Sequence, residues 1–182
     1  MNVQARGLHS PIDEPVQSFS HCHEGILAGL DAFQQLPPVH DAAQRARRIA
    51  QQTVLLMDDA VLRHHAEEED ELFTAVERSA VPGAERERVK SLVSKLTDDH
   101  RAIEALWKRM RDEVARIAAG KPAALRQDQV SLLLAAYRGH AQTEESEFLP
   151  LAQDILSRDG NHMAALGISL HLRHATVPVG YI

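Results

Sequence analysis

Six His and Glu residues occupy positions where helical segments of this sequence would otherwise carry apolar core residues. They are His23, His64, Glu68, His100, His140 and Glu144. Apolar side chains recur at spacings of three and four in each segment, and these six residues fill the gaps in the stripes. Ionisable groups buried in a core cost several kcal/mol each unless they are paired or neutralised. A bound pair of metal ions is the simplest explanation for all six.

The six residues form one pattern that occurs twice. HEGILAGL, starting at His23, is echoed by HRAIEALW, starting at His100. HHAEEEDELF, starting at His64, is echoed by HAQTEESEFL, starting at His140. Nearly equal lengths of chain separate the first His from the second in each half, which indicates an internal repeat. The sequence therefore predicts a helical hairpin used twice, with pseudo-twofold symmetry, each copy offering a His and then a His-x-x-x-Glu.

The spacing and the residue types indicate which metals the site would take. Residues four apart share a helix face, so His64 with Glu68 and His140 with Glu144 each form a pair of ligands. Four imidazoles and two carboxylates suit iron or manganese and also accept zinc. The single cysteine, Cys22, is too few for a thiolate zinc or iron–sulfur site. If each Glu bridges two metals that take two His each, a coordination position stays open for a small ligand.

The second segment also contains a frame shifted by one residue. His65 and Glu69 keep the same spacing and can replace His64 and Glu68 as ligands. The sequence favours His64, because that frame aligns the apolar residues that follow each His-x-x-x-Glu in the two halves.

Several residues near the predicted ligands have competing interpretations. His21 is expected on the surface, on a different helix face from His23. Tyr137, one turn before His140, is expected in the core, with a hydrogen bond to a ligand as the alternative. Three further His near the C-terminus are interpreted as surface residues: His162, His171 and His174.

Composition limits the class of protein. A chain of 182 residues that is 44% hydrophobic and 25% charged can bury one core, so we expect one domain. The net charge is -6 and the 20 Lys and Arg are scattered, so nucleic acid is not an expected partner. No apolar run is long enough to cross a membrane, and we expect a cytoplasmic protein without a membrane partner.

Pro and Gly divide the sequence into four helix-forming segments. The punctuation falls at Pro37-Pro38, Pro82-Gly83 and Gly120-Lys121-Pro122. Helices are predicted at about residues 15–36, 42–80, 84–119 and 125–156. The predicted fold class is all-α, an up-down antiparallel four-helix bundle over residues 1–156, with the ligands on helices between about 15 and 156. Residues 157–182 are predicted to form a tail that packs on or near the bundle.

This arrangement of His, His-x-x-x-Glu, His, His-x-x-x-Glu resembles the hemerythrin HHE cation-binding family over about residues 15–156. HHAEEEDELF and HAQTEESEFLP match its His-x-x-x-Glu-Glu signature. The resemblance implies an up-down bundle that holds two iron ions in a carboxylate-bridged non-haem centre with a bridging oxo or hydroxo. The chain departs from the oxygen-carrying hemerythrins at Glu104, where those proteins have the second His of a His-x-x-x-His pair.

The resemblance implies a binding or sensing function for dioxygen, nitric oxide or iron itself. The alternative is a di-iron enzyme that reduces nitric oxide or peroxide, or donates iron for iron–sulfur cluster repair. Spacing does not separate the two hypotheses, because the same ligand set serves both.

Overall fold

The structure, a computed structural model, describes residues 13–158, with side chains described from residue 21 onward. The chain divides into two compact units, Met1–Ala46 and Arg47–Ile182. All regular elements in residues 13–158 are helical, which confirms the all-α prediction. The predictions for His162, His171 and His174, and for the tail beyond residue 158, lie outside the described residues.

The helical stretches contain both α turns and wider π turns. In chain order they are α1 (Asp13–Gln34), α2 (Leu36–Leu55), π1 (Leu56–Val61), α3 (Leu62–Glu67), π2 (Glu68–Phe73), α4 (Thr74–Ser79), α5 (Ala84–Ala118), α6 (Gln127–Thr143), π3 (Glu144–Phe148) and α7 (Leu149–Leu156). The backbone stays in the right-handed helical region at the junctions between α2 and α4 and between α6 and α7. Residues 36–79 and 127–156 therefore form two unbroken helical stretches.

The connection between the first and second helices is shorter than the sequence predicted. The structure ends α1 at Gln34 and begins α2 at Leu36, before Pro37-Pro38, whereas the prediction placed the second helix from about residue 42. Proline is tolerated in the first turn of a helix, because the amides of that turn have no partner within the helix. The two prolines thus start the helix instead of preceding it.

The other two breaks depend on glycines with positive φ. Gly83 has a φ of 106° directly before α5, and the Val81 amide there donates to Glu85 Oε1 at 2.8 Å. Gly120 has a φ of 69° after α5. Its amide donates to the Ile117 carbonyl at 2.9 Å, and the Lys121 amide donates to the Arg116 carbonyl at 2.8 Å. This pair of bonds is a Schellman motif, which ends the helix with a glycine in the left-handed region.

The second unit has two apolar clusters. The Phe73 cluster consists of Leu72, Phe73, Val76, Ala80, Val89, Leu92, Leu96, Phe148, Ala152, Ile155 and Leu156. The Trp107 cluster consists of Ala50, Met57, Val61, Ile103, Trp107, Met110 and Val114. On α5, Leu96 belongs to the first cluster and Ile103 to the second, and His100 lies between them. The burial of apolar surface in these clusters is what holds the three helical stretches of this unit together.

Trp107 also takes part in a polar network with Asp58 and Arg111. The Trp107 indole Nε1 donates to Asp58 Oδ1 at 2.8 Å, and Arg111 donates to both Asp58 oxygens. Trp107 is buried, so this bond satisfies an indole N–H that would otherwise lack a partner.

The large apolar side chains of α1 that the structure describes, from residue 21 onward, are exposed. Ile26, Leu30 and Phe33 follow the apolar spacing of four and three that predicts a core stripe, but they are 53%, 57% and 67% exposed. The arrangement of four helices in an up-down bundle therefore stays a prediction. No helix within residues 13–158 is both long and apolar enough to span a bilayer.

Candidate metal centre

A layer of buried polar residues separates the two apolar clusters of the second unit. Its members are His65 on α3, Glu68 on π2, His100 on α5, His140 on α6 and Glu144 on π3, each at most 8% exposed. Glu68 and Glu144 are each the first residue of a π turn. Such widened turns occur often at functional sites, since they change which side chains face inward.

The ligand atoms of this layer fall into two groups. His65, His100 and His140 form one, and His64, Glu68 and Glu144 form the other. In each group, one ligand atom per residue lies within 4.8 Å of the others. The structure thus brings together all of the predicted ligands except His23. His23 lies on α1 in the first unit, where its side chain is exposed.

His65 belongs to the site together with His64. Its side chain is 1% exposed, and its ring stacks on that of His100 with centroids 3.9 Å apart. His64 is 34% exposed and places Nε2 3.2 Å from Glu68 Oε1. The sequence treated the two His as alternatives. Because His65 and His64 stand three and four residues before Glu68, and both spacings share a helix face, the sequence signal for both was present.

Glu68 connects the two groups. Its Oε1 lies 3.2 Å from His64 Nε2, and its Oε2 lies 3.2 Å from His100 Nε2. Each carboxylate oxygen therefore faces an imidazole of a different group. A carboxylate placed in this way is suited to bridge two cations.

The two buried carboxyl groups share one proton. Burial and the neighbouring Glu68 raise the pKa of Glu144 to about 9. Burial opposes ionisation of Glu68 as well, but the His100 imidazole and the Glu144 carboxyl outweigh it and lower the pKa of Glu68 to about 2. At neutral pH the protonated Glu144 therefore accompanies an ionised Glu68, because two adjacent buried carboxylates repel each other.

The pKa values of the three imidazoles of the first group also shift in opposite directions. Burial, reinforced by the neighbouring imidazoles, lowers the pKa of His65 to about 3, and burial also lowers the pKa of His140. Burial acts against protonation of His100 too, yet Glu68 and Glu69 outweigh it and raise its pKa. His65 and His140 are thus neutral at neutral pH, the form in which an imidazole binds a metal.

Several buried polar atoms in this layer have no hydrogen-bond partner among the described residues. They are His65 Nε2, Glu68 Oε2, His100 Nε2, and Nδ1 and Nε2 of His140. Buried polar atoms are nearly always satisfied, so a cluster of orphaned nitrogen and oxygen atoms requires an explanation. A metal cation provides one, since nitrogen and carboxylate donors are the ligands that borderline and hard divalent metals prefer.

Tyr137 and His21 lie near the predicted ligands in the sequence. The Tyr137 ring packs with the Trp107 cluster, its centroid 6.0 Å from that of His140, and burial raises its pKa. His21 is exposed, as predicted.

Comparison with known proteins identifies the class to which this chain belongs. The family model for the hemerythrin HHE cation binding domain matches residues 14–152. The chain therefore belongs to the hemerythrin HHE family, as its motifs predicted, and its His and Glu cluster is a candidate metal site of that family. A search of curated proteins and a search of solved structures returned no match.

Proposed function

We propose that this chain is a non-haem di-iron protein that binds or senses dioxygen, nitric oxide or iron at a carboxylate-bridged dinuclear site. The observation that carries the proposal is the position of Glu68, whose two oxygens face imidazoles of the two ligand groups. A single ion would leave one of these groups without a cation. Manganese or zinc can occupy the same ligands in place of iron.

In this proposal each ligand group holds one ion. His65, His100 and His140 would provide three imidazole nitrogens, and His64, Glu68 and Glu144 would provide one nitrogen and two carboxylates. Glu68 and Glu144 offset the positive charge of the two ions, and metal binding displaces the proton of Glu144. Two iron ions with a bridging oxo or hydroxo would supply open coordination positions and the redox chemistry for a diatomic ligand.

The apolar surroundings limit the access of water to this layer. Phe73 lies beside His100, with ring centroids 5.9 Å apart, and packs edge-to-face on Phe148 at 4.9 Å. Phe73, Phe148 and Ile103 are at most 2% exposed. A dry pocket strengthens the attraction between the carboxylates and the cations, because the local dielectric is low.

Metal analysis with a ligand-binding spectrum tests the proposal. We expect protein loaded with Fe²⁺ without oxygen to hold two ions per chain and to develop oxo-to-iron charge-transfer absorption in the near ultraviolet on exposure to dioxygen. Retention of one ion per chain, or no spectral change with dioxygen and none with nitric oxide, would contradict it.

His23 is proposed as a further ligand because of the internal repeat. It begins the first copy of the pattern, and the second copy begins with the buried His100. We expect His23→Ala to weaken Fe²⁺ binding by roughly tenfold or more, since a lost ligand costs at least as much as a lost partner of a ligand. His21→Ala, two residues away on the same helix, is the matched control for an anaerobic competition titration. Equal affinities of the two variants would remove His23 from the ligand set.

An enzyme is the second candidate function, favoured by the partial exposure of His64. Its side chain is 34% exposed, so the second ligand group borders on solvent and is accessible to a small substrate. The enzyme would reduce nitric oxide or peroxide, or donate iron for iron–sulfur cluster repair. Steady turnover of nitric oxide or peroxide with a chemical reductant, or transfer of iron to a cluster scaffold, distinguishes it from reversible binding.

A further inference from the structure

Two carboxylates lie behind the imidazoles of the first ligand group. Glu69 Oε1 lies 2.8 Å from His100 Nδ1, and Glu104 Oε1 lies 3.4 Å from His65 Nδ1. In both rings the contact involves the nitrogen opposite to the orphaned Nε2. Each carboxylate therefore contacts Nδ1 of a candidate ligand, on the side of the ring away from Nε2.

Arg101 connects these two carboxylates. Its Nη2 donates to Glu69 Oε2 at 2.5 Å, and its Nη1 donates to Glu104 Oε1 at 3.2 Å. We call Glu69, Arg101 and Glu104 the Arg101 clasp. One guanidinium thus neutralises and orients both carboxylates, and the planar fork of Arg is well suited to this role.

The chemistry of the donors determines which ring nitrogen carries the proton. An ionised carboxylate only accepts hydrogen bonds, so a ring nitrogen that is hydrogen-bonded to it must donate. His100 faces a carboxylate on each side. Its Nδ1 is hydrogen-bonded to Glu69 Oε1 at 2.8 Å, whereas its Nε2 lies 3.2 Å from Glu68 Oε2 without hydrogen-bond geometry. In a neutral ring with the proton on Nδ1, the lone pair is left on Nε2. His140 differs, because neither of its ring nitrogens has a hydrogen-bond partner within the part of the chain that the structure describes.

We propose that Glu69 and Glu104, joined by Arg101, are positioning residues that hold His100 and His65 in the Nδ1–H tautomer with Nε2 directed at the metal centre. Metal-bound His commonly donates its second N–H to a carboxylate in this way. The proposal rests on the proposed function for its metal-binding effect, whereas the tautomer is a property of the metal-free chain.

The clasp contributes little to the stability of the fold. The side chains of Glu69, Glu104 and Arg101 are 22%, 30% and 56% exposed, and ion pairs with this degree of exposure are weak. If these residues only stabilised the fold, their replacement would change the free energy of unfolding slightly and would leave the tautomers and the metal affinity unchanged. Measurements of tautomer and metal affinity therefore distinguish a positioning role from a structural one.

Nitrogen NMR of the imidazoles tests the tautomer assignment directly. In metal-free protein at alkaline pH, where the rings are neutral, we expect Nδ1–H on both His100 and His65. Glu69→Ala is expected to shift only His100 towards the Nε2–H form, which a free imidazole side chain prefers. Glu104→Ala is expected to shift only His65, and Arg101→Ala both. Glu87→Ala, an exposed change on α5 away from the site, should leave both rings unchanged.

An anaerobic Fe²⁺ titration tests the consequence for binding. We expect Glu69→Ala and Arg101→Ala to lose about 10- to 100-fold in Fe²⁺ affinity relative to Glu87→Ala. Glu69→Gln keeps an oxygen acceptor for His100 and should recover part of the loss.

Three outcomes would overturn the proposal: an Nε2–H tautomer of His100 in the parent protein, a His100 spectrum unaffected by Glu69→Ala, or equal Fe²⁺ affinities of Glu69→Ala and Glu87→Ala. Failure of the parent protein to bind Fe²⁺ would instead overturn the proposed function, and the NMR result alone would then decide whether the clasp sets the tautomers.

Discussion

Replacement of Glu144 by Gln is expected to weaken Fe²⁺ binding by at least about 100-fold and also to stabilise the metal-free protein. The two effects have one cause, which is the buried pair of carboxyl groups. The glutamine amide of this variant would keep a hydrogen-bond donor towards Glu68 and so replace the shared proton, but it lacks the negative charge that a cation requires. A substitution that stabilises the metal-free protein and abolishes metal binding is typical of a binding site with buried charge.

The pH dependence of the stabilisation follows from the raised pKa of Glu144. Its pKa moves from an ordinary value of 4.5 to about 9 in the folded chain, so the folded state holds a proton that the unfolded state releases. The stability from this group is fully present below 4.5 and is lost as the pH rises through about 9. Because Gln does not titrate, the advantage of Glu144→Gln should grow over this range, to about 1–3 kcal/mol.

Urea unfolding of chelator-treated protein at several pH values measures this advantage, and anaerobic titration measures the Fe²⁺ affinity. Glu147→Gln, at an exposed position on the same π turn, is the matched control and should change neither quantity. Equal stabilities of Glu144→Gln and the parent at alkaline pH would show that the two carboxyl groups do not share a proton. An unchanged Fe²⁺ affinity would remove Glu144 from the ligand set.

Glu68→Ala and His64→Ala should have different effects on the number of bound ions. Loss of Glu68 removes the residue that faces both ligand groups, so we expect both ions to be lost. Loss of His64 removes a ligand from one group only, and the three buried imidazoles of the other group remain. His64→Ala should therefore keep one ion per chain, without the charge-transfer absorption of the paired centre.

Elemental analysis after anaerobic loading and desalting measures these stoichiometries. Asp70→Ala, an exposed change on the same π turn as Glu68, serves as the control and should keep two ions. Circular dichroism confirms that each variant is folded. If Glu68→Ala keeps two ions, Glu68 does not bridge. If His64→Ala loses both, the two groups do not bind independently, and the division of the ligands into two groups is wrong.

The sequence alone predicted the all-helical class, which the structure confirms, and the residue types of the candidate site. Apolar spacing of three and four predicted helices, and the π turns and helix ends differ from that prediction only locally. The same spacing identified Glu68, His100, His140 and Glu144 as polar residues in apolar stripes, and all four are buried. These residues could be recognised in the sequence because helical periodicity is a local property of the chain. An ionisable residue at a position where the pattern expects an apolar one stands out directly.

Only the tertiary structure decided which neighbouring residues face the site. His64 and His65 both satisfy the spacing to Glu68, and it is packing against His100 that buries His65. The shared proton of Glu68 and Glu144, and the contacts of Arg101 with Glu69 and Glu104, depend on side chains far apart in sequence. Such contacts leave no periodic signal, because they arise from distances between helices and not from the spacing along one helix.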